Sequence, residues 1–245
     1  MILLGGVLAS ACVIRATDPT PNYPPLTYTT AHFVFHHHEA DRPTIATTAA
    51  AIEAEYDRVI ADLGAGSMPK VHVSFHEDHA SLQSAVRAVA GQIPSWASGL
   101  VIGVDQIHMM SFAQATWGPY ERRLTDLVHE FAHAVSIRIS PSIANRPRWL
   151  WESVAIYEAG QFVDPRLLPY LVSHQPPPFT ELNTFDSMRI YEVGYLIAEF
   201  IVSRGGRAAM RSLIINLGDT VATLGLTQAE FEAAWFAYAR ERYGF

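Results

Sequence analysis

Apolar positions along this chain recur with two different periods. From Thr44 to Leu63 they return every three or four residues, with Ile52, Tyr56, Val59, Ile60 and Leu63 on one side and Gly64 next in line, which predicts an amphipathic helix that stops at the glycine. His32 to His38 and Val71 to Phe75 alternate in steps of two and predict strands on either side of that helix. The stretch SWASGLVIGVDQIHMMSF, ending at Phe112, predicts two more strands about a turn near Gly103 to Gln106. Helical spacing returns at Leu124, Val128, Phe131, Ala132 and Val135 and should end near Ser140-Pro141. After a turn through Ser142 to Pro147, the segment up to Glu158 reads as an apolar helix interrupted by carboxylates. In the last third, Thr227 followed by Glu230 is a capping box opening a helix through Phe231, Ala234, Trp235 and Tyr238. This order predicts an α+β chain: a small αβ lobe with a mixed sheet over residues 27–118, then a mostly helical lobe over 119–245.

The first residues read differently. An apolar run from Ile2 to Ala11 ends at Cys12, the only cysteine, so no intrachain disulfide can form. The run is too short to span a bilayer as a helix, and VLASAC resembles a bacterial lipobox, in which the cysteine becomes lipid-modified. No Lys or Arg precedes the run, and Ala9 stands where leucine is preferred, so an ordinary secretory signal is the competing reading. Residues 1–16 are thus expected to be a signal or lipoprotein-like segment, placing the protein in the cell envelope or periplasm with membrane attachment through Cys12. Residues 17–26, holding Pro19, Pro21, Pro24 and Pro25, are expected to be an extended tether. The remainder, at 49% hydrophobic residues overall, is long enough to bury a sizeable core, and no internal repeat or second domain is evident. A net charge of −7 with no basic run argues against a nucleic-acid partner.

Chemistry enters at His129-Glu130-Phe131-Ala132-His133. On a helix, H-E-x-x-H sets two imidazoles one turn apart on one face, where both can bind a single zinc ion, with Glu130 beside the remaining position as general base for a water. His129, Glu130 and His133 lie together, off the apolar stripe of the same helix. A third ligand is needed, and no histidine follows before His174. Residues 134–151 provide enough chain for a second helix to return against the first, bringing Glu152 or Glu158 within reach. Glu152 is the better candidate, because Trp149, Leu150, Trp151, Val154 and Ala155 would bury it and an unpaired buried carboxylate calls for a cation. Glu158, nearer the helix end at Gly160, suits a solvated surface role.

LVHEFAHAV (Leu127 to Val135), RPRWLWESVAIYEAG (Arg146 to Gly160), IYEVGYLIAEFIVSRGG (Ile190 to Gly206) and LGLTQAEFEAAWFAY (Leu224 to Tyr238) resemble, in order, the gluzincin metallopeptidases and among them the peptidase MA-like domain. The resemblance implies a zincin-like fold with a zinc cleft between the two lobes, zinc held by His129, His133 and Glu152, and Glu130 as the base in peptide-bond hydrolysis. Ser153 departs from the pattern, which usually has glycine after the third ligand. The resemblance further aligns Tyr191 with a family tyrosine on a cleft-facing helix, making it the first candidate to stabilise the oxyanion, ahead of Tyr195 and His174. Both phenols could instead pack at helix ends. In related peptidases the segment around 96–112 forms the sheet edge to which a substrate adds as a strand; an internal hairpin is the alternative.

Other groups carry less. Asp126 falls on the motif's face and could accept from a ligand imidazole or pair with Arg122 or Arg123. His36-His37-His38 cannot all meet one ion, because neighbours on a strand point to opposite faces; a solvated strand end is expected there, and His72, His76 and His79 are discounted alike. The expectation is a zinc-dependent peptidase acting on a peptide or protein substrate. Its rival is an exported zinc-containing binding or scaffold protein without proteolytic activity, against which the base Glu130 speaks.

Overall fold

The period-two stretches form one five-stranded sheet in the computed structural model, which describes residues 23–114, 116 and 118–245. The apolar N-terminal run, Cys12 and residues 17–22 of the Pro-rich segment lie outside the described residues. Strands β1 (Leu26–Thr29), β2 (Phe33–His37), β3 (Val71–His76), β4 (Gly99–Ile102) and β5 (Gln106–Met110) stand in the order β1-β2-β3-β5-β4. The pairs β2/β3 and β3/β5 are parallel, while β1/β2 and β4/β5 are antiparallel, so the sheet is mixed. Helix α1 (Ile45–Leu63) joins β2 to β3, and α2 (His79–Ala90) lies between β3 and β4. The rest is helical: α3 (Tyr120–Ile139), α4 (Arg148–Glu158), the single turns α5 (Pro169–Val172) and α6 (Phe179–Leu182), α7 (Ile190–Ile215), α8 (Thr220–Leu224) and α9 (Gln228–Tyr243). Helix α7 is broken at Gly205 and Gly206, and α9 opens with the Thr227/Glu230 capping box. Among the described residues no helix is long and apolar enough to cross a membrane.

Strand alternation sorts the sheet into two faces. Phe33 and Phe35 of β2, Val71, Val73 and Phe75 of β3, and Ile107 and Met109 of β5 enter one large core with α1 and the central helix α3. Phe131 of α3 meets Phe33 and Tyr56 there, at ring separations of 5.3 and 5.5 Å. A single apolar stripe was the expectation for α3, yet every residue from Leu127 to Ile137 except Glu130 is buried. The cause is its position, with the sheet and α1 on one side and α4 and α7 on the other. Helices α4 and α7 pack against each other extensively. A methyl on Gly194 would sit 2.7 Å from Ile156 Cδ1 and 3.3 Å from Ser153 Cα, so a larger residue on α7 where the helices cross would force Ile156 and the α4 backbone to give way. Ser153 fits because that missing side chain leaves it room, and its hydroxyl donates to Trp149 O at 2.6 Å.

The opposite face of the sheet corrects one expectation. Instead of a solvated strand end, His36 is buried there, as are His76 and His108, while His37 is buried on the face it shares with Phe33 and Phe35. The imidazoles join in pairs across strands, His36 Nε2 to His72 Nδ1 at 2.9 Å and His76 Nε2 to His108 Nδ1 at 3.0 Å. Two covers account for this. Tyr23 stacks on His36 at 3.8 Å, and α2 packs Leu82 and Val86 against Ile102 and Met110.

Burial is the main reason these rings resist charge. It lowers His36 to about 4, helped by His72 and His37; His76 to about 4, helped by His38 and opposed by Asp78; and His108 to about 3, helped by His76 and His36. A folded-state pKa below the unfolded value of 6.5 means the stability these groups contribute is complete above pH 6.5 and drains away as the pH falls toward 4. The thermal midpoint is therefore expected to drop between about pH 6.5 and about pH 4.5, and the double variant His76→Gln/His108→Gln, neutral at every pH, to flatten that part of the curve. An unchanged slope in the variant would refute the assignment.

Candidate metal centre

Three side chains from two helices converge where α3 meets α4. His129 and His133 lie one turn apart on α3, and Glu152 reaches them from the first turns of α4. One ligand atom from each of the three lies within 4.8 Å of the others, and all three residues are buried. Glu152 Oε2 is 3.3 Å from His129 Nε2 and 3.8 Å from His133 Nε2. It makes no hydrogen bond, although it is out of contact with solvent. A buried carboxylate oxygen with two imidazole nitrogens around it and no donor of its own is the arrangement a metal ion satisfies. The group can hold a metal ion; among the described residues no other group of three such side chains converges in this way.

Glu158 provides a control on the same helix. It was expected to be solvated, but its side chain is fully buried, and both oxygens are answered by guanidinium groups: Arg207 at 2.5 Å and Arg58 at 2.9 Å. Arg58 also donates to Glu158 O at 2.6 Å, and Arg207 to Asp62 at 2.7 Å, which ties α1, α4 and α7 together. Burial raises Glu158 to about 7, with Arg207 pulling down and Asp62 pushing up. This glutamate is an ionic tie between helices and no rival for the metal.

The surroundings orient the ligand rings. His129 Nδ1 lies 2.9 Å from Gln161 Oε1, and Gln161 Nε2 donates to Asp126 Oδ1, again at 2.9 Å. Asp126 thus acts on His129 through an interposed amide, while Arg122 and Arg123 still contribute to its electrostatics. Gln161 was not foreseen in the sequence, because a turn after α4 sets its position: Gly160 N donates to Tyr157 O and Gln161 N to Ile156 O, folding the chain back toward α3. His133 has no such acceptor; its Nδ1 is buried and unpaired, and its ring lies flat on Trp151 at 3.9 Å.

Electrostatics at the cluster are in conflict without a cation. Burial alone would lower His129, but the Glu152 carboxylate and then Glu130 raise it to about 9. Burial, and next the charge on His129, push His133 well below the usual range. Glu130 is raised to about 8 by burial, with His129 opposing and Glu152 and Asp126 adding. A bound dication would oppose the proton on His129 and favour the ionised form of Glu130.

Glu130 stands beside the triad, only partly buried, against the sheet's edge strand β4. A methyl at Gly99 would lie 3.1 Å from its Oε1 and 3.2 Å from its Cγ, so the glycine makes the space this carboxylate occupies. Tyr191, in the first turn of α7, brings its ring to 6.4 Å from His129 and 6.2 Å from Trp96. Burial, then Glu152, hold its phenol protonated far above the neutral range, with Arg148 partly offsetting them. The other donor candidates do not join the group. Tyr195 packs on Tyr157 and Phe162, and the ring contact of His174 is with Phe236.

The chain matches no family model and no curated protein. Its site therefore rests on geometry. Gln161→Ala, which frees the His129 ring, is expected to weaken metal binding by roughly 10- to 100-fold with the fold retained. Isothermal titration with zinc checks this, and an affinity unchanged from wild type would remove Gln161 from the site.

Proposed function

We propose that the protein is a zinc-dependent peptidase of gluzincin type, with a zincin-like cleft between the αβ and helical lobes. The observation that carries this reading is the convergence of His129, His133 and an orphaned Glu152 beside a second, non-ligating carboxylate, Glu130. A structural site has no use for that extra group, whereas hydrolysis needs a base.

Zinc bound by the triad supplies a Lewis acid that polarises a carbonyl and brings the pKa of water to roughly 7. Glu130 then takes the proton of the attacking water on its carboxylate and delivers it to the nitrogen of the departing amine. Tyr191 keeps its hydroxyl hydrogen across the working pH range and donates it to the oxygen that gains charge. The Gln161 and Asp126 relay holds His129 in one tautomer.

Substrate fits the sheet edge. Among the described residues β4 pairs only with β5, leaving its other edge without a strand partner, and Gly99 on that strand lies against Glu130. An extended peptide added along it would pass its backbone over Glu130 and the triad. The Ile2 to Cys12 segment supports an exported protein, lipid-attached through Cys12 at the bacterial envelope.

Glu130→Gln is the direct test. The variant is expected to keep one zinc per chain while peptide-library cleavage falls by at least about 1,000-fold, the order of loss for removing a general base together with its field. Cleavage at the wild-type rate would overturn the assignment of the base, and a wild type inert on every library would overturn the peptidase reading.

A further inference from the structure

Two exposed aromatic side chains, one from each lobe, stand together at the mouth of the metal centre. Trp96 is 44% exposed, Phe185 53% and Met188 49%. Trp96 sits in a turn closed by the bond from Ala97 N to Pro94 O, three residues before Gly99. Phe185 sits in a turn closed from Ser187 N to Thr184 O, just ahead of α7. Their rings are 6.4 Å apart, and Trp96 continues through Tyr191 to His129, with ring separations of 6.2 and 6.4 Å. An unbroken path of rings thus leads from solvent to a metal ligand.

Both turns are braced. Ser98 O accepts from Met110 N at 2.8 Å, fixing the first turn to β5. Buried Arg148, at the start of α4, donates to Ser187 O at 3.0 Å and Leu182 O at 3.3 Å, and Trp149 N donates to Asn183 Oδ1 at 3.0 Å, fixing the second. Anchored turns that leave large rings uncovered form a preorganised apolar platform, which gains affinity without first paying to order itself. The surface is continuous with the outer edge of β4, so a chain lying along that edge would place a side chain on it as it leaves Gly99 toward Trp96.

We infer that Trp96 and Phe185 form a specificity subsite that accepts one aromatic or large aliphatic side chain of an extended peptide, a few residues from the bond above Glu130. The inference rests on the peptidase reading and names its substrate class: unfolded peptide segments with a bulky apolar residue. Trp96 and Phe185 are specificity residues and take no part in bond making.

Zinc-loaded full chain carrying Glu130→Gln is titrated with blocked peptides that differ at one central residue, Phe, Leu, Ala, Lys or Glu, and binding is followed by calorimetry. The wild type is then assayed for cleavage of the same set. Phe and Leu peptides are expected to bind roughly tenfold or more tightly than the Ala peptide. That advantage should shrink to within about twofold on adding Trp96→Ala or Phe185→Ala and should return with Trp96→Phe. In the cleavage assay the same substitutions should raise KM for bulky substrates and leave kcat nearly unchanged. A preference that survives both alanine substitutions, tighter binding of charged peptides, or no binding of any peptide overturns the inference. The two readings fail separately: ring-dependent binding without cleavage by the wild type would refute the peptidase and retain the subsite, whereas cleavage with a specificity indifferent to Trp96 and Phe185 would do the reverse.

Discussion

Glu152 brings a carboxylate into an apolar interior where one of its oxygens has no hydrogen-bond donor. Helix α4 shows how the same chain handles an acid it means only to bury: Glu158, less than two turns further on, meets a guanidinium at each oxygen. Glu152 is within 4 Å of the two imidazoles of α3 and, among the described residues, forms no ion pair with a guanidinium. Leaving a buried charge unmatched costs several kcal/mol, on the order of the 3–5 kcal/mol lost when one partner of a buried pair is removed. A divalent cation held between the three side chains would remove that cost.

Much of the fold serves to keep α3 and α4 fixed relative to each other. Helix α3 is gripped by the sheet and α1 on one side, which leaves His129 and His133 no freedom to turn outward. Helix α4 is clamped on α7 at the Ser153 and Gly194 crossing and tied to α1 and α7 through Glu158, Arg58 and Arg207. The turn after α4 then carries Gln161 back to His129, so the second ligand-bearing helix also orients a ligand of the first. Strand β4 closes the remaining side through the close approach of Gly99 to Glu130, putting the sheet edge beside that carboxylate. Rigidity at this level is what a constellation accurate to a fraction of an ångström requires.

Local features were legible in the sequence wherever one period or one motif dominated. Helix α1 and its Gly64 stop, the strands at 33–37, 71–76, 99–102 and 106–110, the end of α3 at Ser140, and the Thr227 capping box all match their patterns. His129, His133 and Glu152 were legible because spacing on a helix and apolar flanks specify them locally, and the structure brings the three together. What escaped depends on contacts distant in sequence. Helix α2 carries Leu82, Val86 and Val89 at helical spacing, but that this stripe covers the sheet face at Ile102 and Met110 is set by contacts distant in sequence, and without that cover the sheet histidines read as solvated. Glu158 looked exposed because its partners, Arg58 and Arg207, are far away in the chain. Gln161 carries no motif at all; only the path of the turn gives it meaning.

A titration of the full chain with zinc, followed by X-ray absorption at the metal edge, tests the central claim most directly. The account predicts one ion per chain with two imidazole nitrogens and at least one carboxylate oxygen in its shell at roughly 2.0–2.2 Å, and a large loss of affinity in Glu152→Ala. It is contradicted if the wild type binds no metal at that stoichiometry, or if Glu152→Ala binds it as tightly with an unchanged shell.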